Sequence, residues 1–275
     1  MSEIASWAWK NRDDIVRSLR GIWEWIRGTD RPTPSPGILI FGPGGSGKTT
    51  LSKILSEPID WLADPPGLYT ESIGTERVKL TDAPNVEIVI PPGQSFRRDT
   101  TWPSLQADLV TEKYRGVIVV ASHGLASIPL DSYRDHKLYE GSLPRFLEAM
   151  SAEERSEELE VLKRLLPSFQ IAKGKLWLLT VVVKQDLWWP EKDDVERHYR
   201  DGPYGQLVTA ETAKLSPAMF RHELVFASLA ISNFRTAKNE LLVPNAKGYD
   251  QREQVRSLRK LFETVDALRK WETGS

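Results

Sequence analysis

The chain contains no cysteine, which excludes disulfides and thiolate metal sites and accords with a reducing compartment. It has only four histidines, His123, His136, His198 and His222, and they lack the spacing of a zinc site. Neither sign of charge dominates: 37 basic residues face 38 acidic ones, a net charge of −1. No global field therefore draws the chain to nucleic acid or to an anionic membrane surface. No apolar run approaches the ~20 residues that span a bilayer. The opening stretch MSEIASWAWKNRDD mixes both charge signs and lacks the order of a secretory signal. No repeat of 20–50 residues is visible. The expectation is a cytoplasmic α/β protein with no nucleic-acid partner and no membrane span.

Tryptophan is plentiful, ten in 275 residues, with pairs near the start (Trp7, Trp9, Trp23, Trp25) and at Trp188 and Trp189. Ile15, Leu19, Ile22 and Ile26 recur at helical spacing, widened by Val16 and Trp23, so residues 3–28 read as an amphipathic helix. The proline-rich TDRPTPSPG then breaks it. Residues 1–36 are thus read as an appendage and linker, and residues 37–275 as one domain. The helix is free to dock on its own domain, on a protein partner or on a membrane surface.

From Gly37 onward, apolar runs alternate with helical stretches. Strands are expected at 38–41, 77–80, 86–90, 116–121, 176–183 and 223–230. Helices are expected at 48–57, 103–114, 143–168, 191–200, 211–221 and 250–272. Four of the strands are nearly continuous Val, Ile and Leu, the pattern of a parallel sheet covered by helices on both faces. KL-TDAPN-VEIV reads as a hairpin and adds one antiparallel edge strand. Trp188, Trp189, Tyr199 and Tyr204 are read as packing residues, with a lid over a bound base as the alternative for the two tryptophans. The charged stretch 143–168 is read as a sheet-covering helix.

The strongest motif is Gly42-Pro43-Gly44-Gly45-Ser46-Gly47-Lys48-Thr49, between the strand ILIF and a helix that Thr50 continues. It matches G-x-x-x-x-G-K-[ST] without departure. Such a loop turns successive N–H groups inward on phosphate oxygens, and the helix start adds partial positive charge. Lys48 then places a point charge on the β- and γ-phosphates, and the Thr49 hydroxyl is placed to enter a Mg²⁺ shell.

Further segments resemble the Ras-like P-loop GTPases, in the order that family requires, over roughly residues 37–272. Val183-Lys184-Gln185-Asp186, at a strand end, resembles the base-recognition motif N/T-K-x-D, with Val183 a departure. The resemblance implies that Asp186 accepts the guanine N1 and N2 hydrogens while Lys184 covers the ring. Adenine would leave that carboxylate unpaired, at a cost of about 1–3 kcal/mol. VEIVIPPGQ resembles the second switch, which implies that Gly93 donates to the γ-phosphate and that Gln94 orients the attacking water. Ile90 stands where that family has a Mg²⁺-site aspartate. YTESIGTE resembles the first switch and offers Ser72, then Thr70, as metal-ligating hydroxyls. Ala227-Ser228-Leu229 resembles the loop that contacts the guanine O6.

The stretches PPGQ, VASHG, VKQDLWW, HYRDGPYG, ASLAISNF and GYD also resemble a set of uncharacterised bacterial GTPase-domain proteins. These resemblances imply GTP or GDP as ligand, Mg²⁺ as cofactor, and slow hydrolysis resting on Lys48 and Gln94. A protein effector or regulator is expected at the switch loops or at helix 3–28. A scaffold with little hydrolysis and a P-loop ATPase are the alternatives. Arg97 and Arg98 are read as solvent-facing, with a built-in arginine finger as the alternative, and His123 is read as a loop anchor rather than a catalyst.

Overall fold

The computed structural model describes residues 37–56, 74–80 and 83–274. The segment 1–36, with its expected amphipathic helix, and the expected metal ligands Thr70 and Ser72 lie outside them.

The sheet-forming strands are β1 (Gly37–Phe41), β2 (Glu76–Leu80), β3 (Ala83–Ile90), β4 (Tyr114–Ala121), β5 (Leu176–Val182) and β6 (Phe220–Phe226). They form one six-stranded sheet in the order β2-β3-β1-β4-β5-β6. β2 runs antiparallel to β3, and the other pairs are parallel. Among the described residues seven α-helices accompany them: α1 (Lys48–Ser56), α2 (Ser95–Val110), α3 (Leu143–Ile171), α4 (Gln185–Trp188), α5 (Lys192–Arg200), α6 (Pro203–Thr212) and α7 (Gln251–Thr273).

Alternate side chains of each strand enter opposite faces, and both faces are sealed. Leu39, Phe41, Val89, Val117 and Val119 pack beneath residues of α2, α3, α5 and α6, including Trp102, Leu165 and Tyr204. Ile38, Ile40, Ile88, Ile90, Ile118 and Val120 meet Leu51 and Ile54 of α1 and Leu258, Leu261 and Val265 of α7. Strands buried on both sides carry no polar face, which is why β1, β4 and β5 read as nearly continuous apolar runs. The described residues thus have the expected α/β architecture: a mostly parallel six-stranded sheet with one antiparallel edge strand and helices on both faces.

Several boundaries differ from expectation. α2 begins at Ser95 rather than near 103, because Pro103 is accommodated inside the helix and does not mark its start. α6 spans Pro203–Thr212 rather than 211–221, and it opens on Pro203, whose fixed φ suits a first helical position. β6 stops at Phe226, which leaves Ala227, Ser228 and Leu229 in the following loop. A two-stranded hairpin, β7 (Phe234–Arg235) with β8 (Leu241–Val243), was not anticipated. Each of its strands is three residues or fewer, too short for period-two alternation to stand out. Among the described residues no helix is long and apolar enough to cross a membrane.

Candidate functional site

The C-terminal ends of β1, β3, β4 and β5 lie side by side, as their parallel registers require. In open α/β sheets, ligands bind beyond these ends. The loop from β1 to α1 turns there, with Gly47 at φ 107°, a conformation costly for any side-chain-bearing residue. Lys48 folds back so that its Nζ donates to the Pro43 carbonyl at 2.7 Å. The Ser46 hydroxyl donates to the same oxygen at 3.0 Å. Lys48 and Ser46 are buried, whereas Gly44, Gly45, Thr49 and Thr50 are partly exposed at the mouth. Burial, and secondarily the positive charge of Arg98, lowers the Lys48 pKa to about 7, against an opposing contribution from Glu76.

Gly93 closes on this loop from the end of β3. A Cβ there would lie 2.3 Å from Lys48 Nζ and 2.5 Å from the Gly42 carbonyl oxygen. Gln94, next in sequence, holds the N-cap position of α2 without a side-chain cap bond, and among the described residues its buried Oε1 has no hydrogen-bond partner. Arg98 is buried rather than solvent-facing. Its Nε and one terminal nitrogen donate to the Gly93 carbonyl at 3.0 and 2.7 Å, and the other reaches Glu157 of α3 at 2.8 Å. Trp102 adds a bond from its indole N–H to the Pro92 carbonyl at 3.2 Å. The 91–94 segment is therefore held from behind by α2 and α3.

Asp186 lies in the first turn of α4, just beyond β5, and is only 1% exposed. The Ser228 hydroxyl donates to its Oδ1 at 2.7 Å, and the Ser232 backbone N–H donates to Oδ2 at 3.0 Å. Burial raises the Asp186 pKa, opposed by these two bonds. Leu229, beside Ser228, is close to the phosphate loop: a Cβ on Gly47 would be 3.6 Å from the side chains of both Leu229 and Val183. Lys184 has a left-handed backbone, at φ 61°. Its ammonium donates to the Leu125 carbonyl and lies over the Phe234 ring, and burial lowers its pKa to about 8. The residues expected to meet the base thus lie near one another, yet both carboxylate oxygens of Asp186 already accept protein bonds.

Trp188 is buried and donates its indole N–H to the Val183 carbonyl at 2.9 Å. Trp189 packs edge-on against Tyr249.

The segment after β4, which holds His123, makes contacts that the sequence does not announce. Ser127 donates both its N–H and its hydroxyl to the Gly45 carbonyl, each at 3.2 Å, and so seats this segment on the phosphate loop. Beneath it lies Glu158 of α3, fully buried, which accepts from Ser122 N–H at 2.8 Å and from the Tyr199 hydroxyl at 2.6 Å. His123 stacks edge-on against His198 and Tyr199. Burial, with Arg155 and His198 adding to it, lowers its pKa to about 3, so the ring is neutral at physiological pH. A lone glutamate in a helix that otherwise reads as solvated gave no signal in the sequence.

A magnesium ion beside a nucleotide needs oxygen ligands. Thr49 offers a hydroxyl at the start of α1, but Ile90 offers none and its side chain is sealed in the apolar face shared with α1. Among the described residues no group of three or more His, Cys, Asp or Glu is placed to hold a metal. The other expected ligands, Thr70 and Ser72, lie outside the described residues.

No family model matches the sequence, and no curated protein matches it. Among solved structures, the chain is similar to an ADP-ribosylation-factor-like protein, the small COPII coat GTPase Sar1 of Encephalitozoon cuniculi, in complex with GDP. The identity is 14%, the match covers 99% of this chain and 96% of that one, and the TM-score is 0.49. It is also similar to the GDP-bound signal recognition particle receptor SRb of Chaetomium thermophilum, at 14% identity over 86% of this chain and 99% of that one, with a TM-score of 0.39. A third is the Arl6 small GTPase of Trypanosoma brucei bound to the analogue GppNp, at 13% identity over 84% and 96%, with a TM-score of 0.37. At this level of likeness, the strand order and the residues of this chain carry the reading.

Proposed function

We propose that this chain is a GTP-binding switch that hydrolyses GTP slowly and reports its nucleotide state to a protein partner. The observation that carries the reading is the closure of Gly93 onto Lys48. A phosphate loop alone binds any nucleoside triphosphate. A second loop whose backbone lies against the loop lysine can sense whether a γ-phosphate is present.

Gly42 to Thr50 would cradle the phosphates, with Lys48 as the fixed charge. Gln94, whose Oε1 has no hydrogen-bond partner among the described residues, would orient a water in line with the γ-phosphate. Asp186 and Lys184, with Ser228 and Leu229, would form the base side. Mg²⁺, when bound with the nucleotide, would neutralise phosphate charge, and Thr49 would be one of its ligands. Arg98 bonds to Gly93 and Glu157, which supports a role in positioning the second switch rather than that of a free arginine finger. The partner would meet the switch loops, or the segment 3–28 as a separate appendage, and the protein would act in the cytoplasm.

Two observations favour a second reading, a nucleotide-binding scaffold with little turnover. Ile90 removes the usual acidic metal contact, and Asp186 is already bonded to Ser228 and Ser232. Mass spectrometry of co-purified nucleotide, titration of fluorescent GTP and ATP analogues, and a phosphate-release assay would separate the readings. A preference for GTP with slow release that Gln94→Ala abolishes is the expected result. Equal affinity for GTP and ATP would refute the guanine assignment, and GTP binding without release would favour the scaffold.

A further inference from the structure

The acid missing from the end of β3 has a neighbour able to replace it. In the antiparallel β2–β3 pair, Glu76 stands directly opposite Ile90. Directly paired residues project to the same face, with Cβ atoms about 4.5–5.5 Å apart. That face is the α1 face. Ile90 lies in the cluster with Leu51 and Ile54 of α1, and Val78, two residues beyond Glu76, packs against the same cluster. Arg77, between them, points the other way, to Glu87 and to Tyr114, which belongs to the opposite core. Period-two alternation therefore aims Glu76 at the start of α1, where Thr49 and Lys48 lie. Glu76 is near enough to Lys48 for the two opposite charges to interact. Glu76 itself is partly buried.

We propose that Glu76 supplies, directly or through water, the carboxylate for a nucleotide-bound Mg²⁺ ion whose other protein ligand is Thr49. The acid has moved one strand outward, from β3 to β2. The substitution works because register, not sequence separation, decides which side chains share a corner of the sheet. Ile90 closes the apolar core beneath, and Glu76 projects past it from the edge strand. This inference rests on the nucleotide-binding reading, and its test separates the two.

The full chain would be stripped of nucleotide, and the affinity and release rate of a fluorescent GDP analogue measured with excess EDTA and with millimolar Mg²⁺. For wild type, Mg²⁺ should tighten binding by about tenfold or more, within the usual range for two coupled ligands. Glu76→Gln should keep the EDTA affinity, or tighten it slightly because one negative charge leaves, and should lose most of the Mg²⁺ enhancement. Thr49→Ala in the Glu76→Gln background should remove little more of it. Ile90→Asp in the Glu76→Ala background should restore part of the enhancement. A full Mg²⁺ enhancement in Glu76→Gln would overturn the proposal. So would an equal loss of affinity with and without Mg²⁺, the mark of a merely structural residue. Wild-type nucleotide binding indifferent to Mg²⁺ would overturn the metal site and leave the nucleotide reading standing. No nucleotide binding under either condition would overturn both.

Discussion

Gly93 and Lys48 are in contact across the mouth of the site: a methyl group on Gly93 would sit 2.3 Å from the lysine nitrogen. The lysine meanwhile donates to Pro43 of its own loop, so the phosphate loop is folded on itself and the 91–94 segment lies against it. Entry of a triphosphate must exchange these internal contacts for contacts to phosphate oxygens.

Lys48→Ala should weaken GTP binding by tenfold or more, since hydrogen bonds to charged groups contribute about 1.5–3 kcal/mol each. The thermal midpoint of the nucleotide-free protein should not fall, because the substitution removes a desolvated cation. Fluorescence titration and calorimetry check both halves, and a collapse of the midpoint would contradict the second.

Nucleotide affinity should depend on pH through the same lysine. Its free-state pKa is lowered to about 7, and phosphate binding requires the charged form. Below pH 7 the charge is already present; above it, each binding event must take up a proton, so affinity falls by up to about tenfold per pH unit. Titrations from pH 6 to 8.5 should show this slope in wild type and a flat profile in Lys48→Ala.

Arg98→Met should strip the Gly93 carbonyl of its two donors. An unpaired buried acceptor costs about 1–3 kcal/mol, visible in urea unfolding. Freed of the clamp, the 91–94 segment should position Gln94 poorly, so phosphate release should drop more than GTP affinity does. Glu157→Gln should give a weaker version of the same split.

Asp186→Ala should erase any preference for GTP over ATP in competition titrations. It should also destabilise the apo protein, because the Ser228 hydroxyl and the Ser232 N–H lose their acceptor. If the preference survives, guanine is read elsewhere.

Glu158→Ala should cost more than about 2 kcal/mol, since it strands the Ser122 N–H and the Tyr199 hydroxyl. Burial raises the Glu158 pKa. The stability tied to its protonated form is therefore complete below the ordinary glutamate pKa and lost as pH rises through the raised value. Glu158→Gln cannot ionise, so its stability relative to wild type should improve from pH 5 to pH 8 in denaturant titrations.

The phosphate loop was legible in the sequence because its chemistry is local: eight consecutive residues between a strand and a helix fix the backbone path. The sheet was legible because strands covered on both faces must be aliphatic throughout, and the hairpin to the edge strand because its turn residues stand together. The start of α2 was misread because Pro103 looks the same whether it begins a helix or is accommodated inside one. Arg98 bound to Gly93 and Glu157, Ser127 on Gly45, Ser232 on Asp186, and Glu158 beneath the loop after β4 were not legible. Each joins segments whose approach is set by packing, and a charged residue in a helical stretch looks solvated until the fold places another element over it. Glu76 is the sharpest case. In the sequence it is only the last residue of the hydroxyl-rich stretch YTESIGTE, beside a basic residue, and the departure at Ile90 reads as a loss. Only the register of β2 on β3 brings the two onto one face, because pairing across a sheet is decided by where the strands meet and not by how far apart they are along the chain.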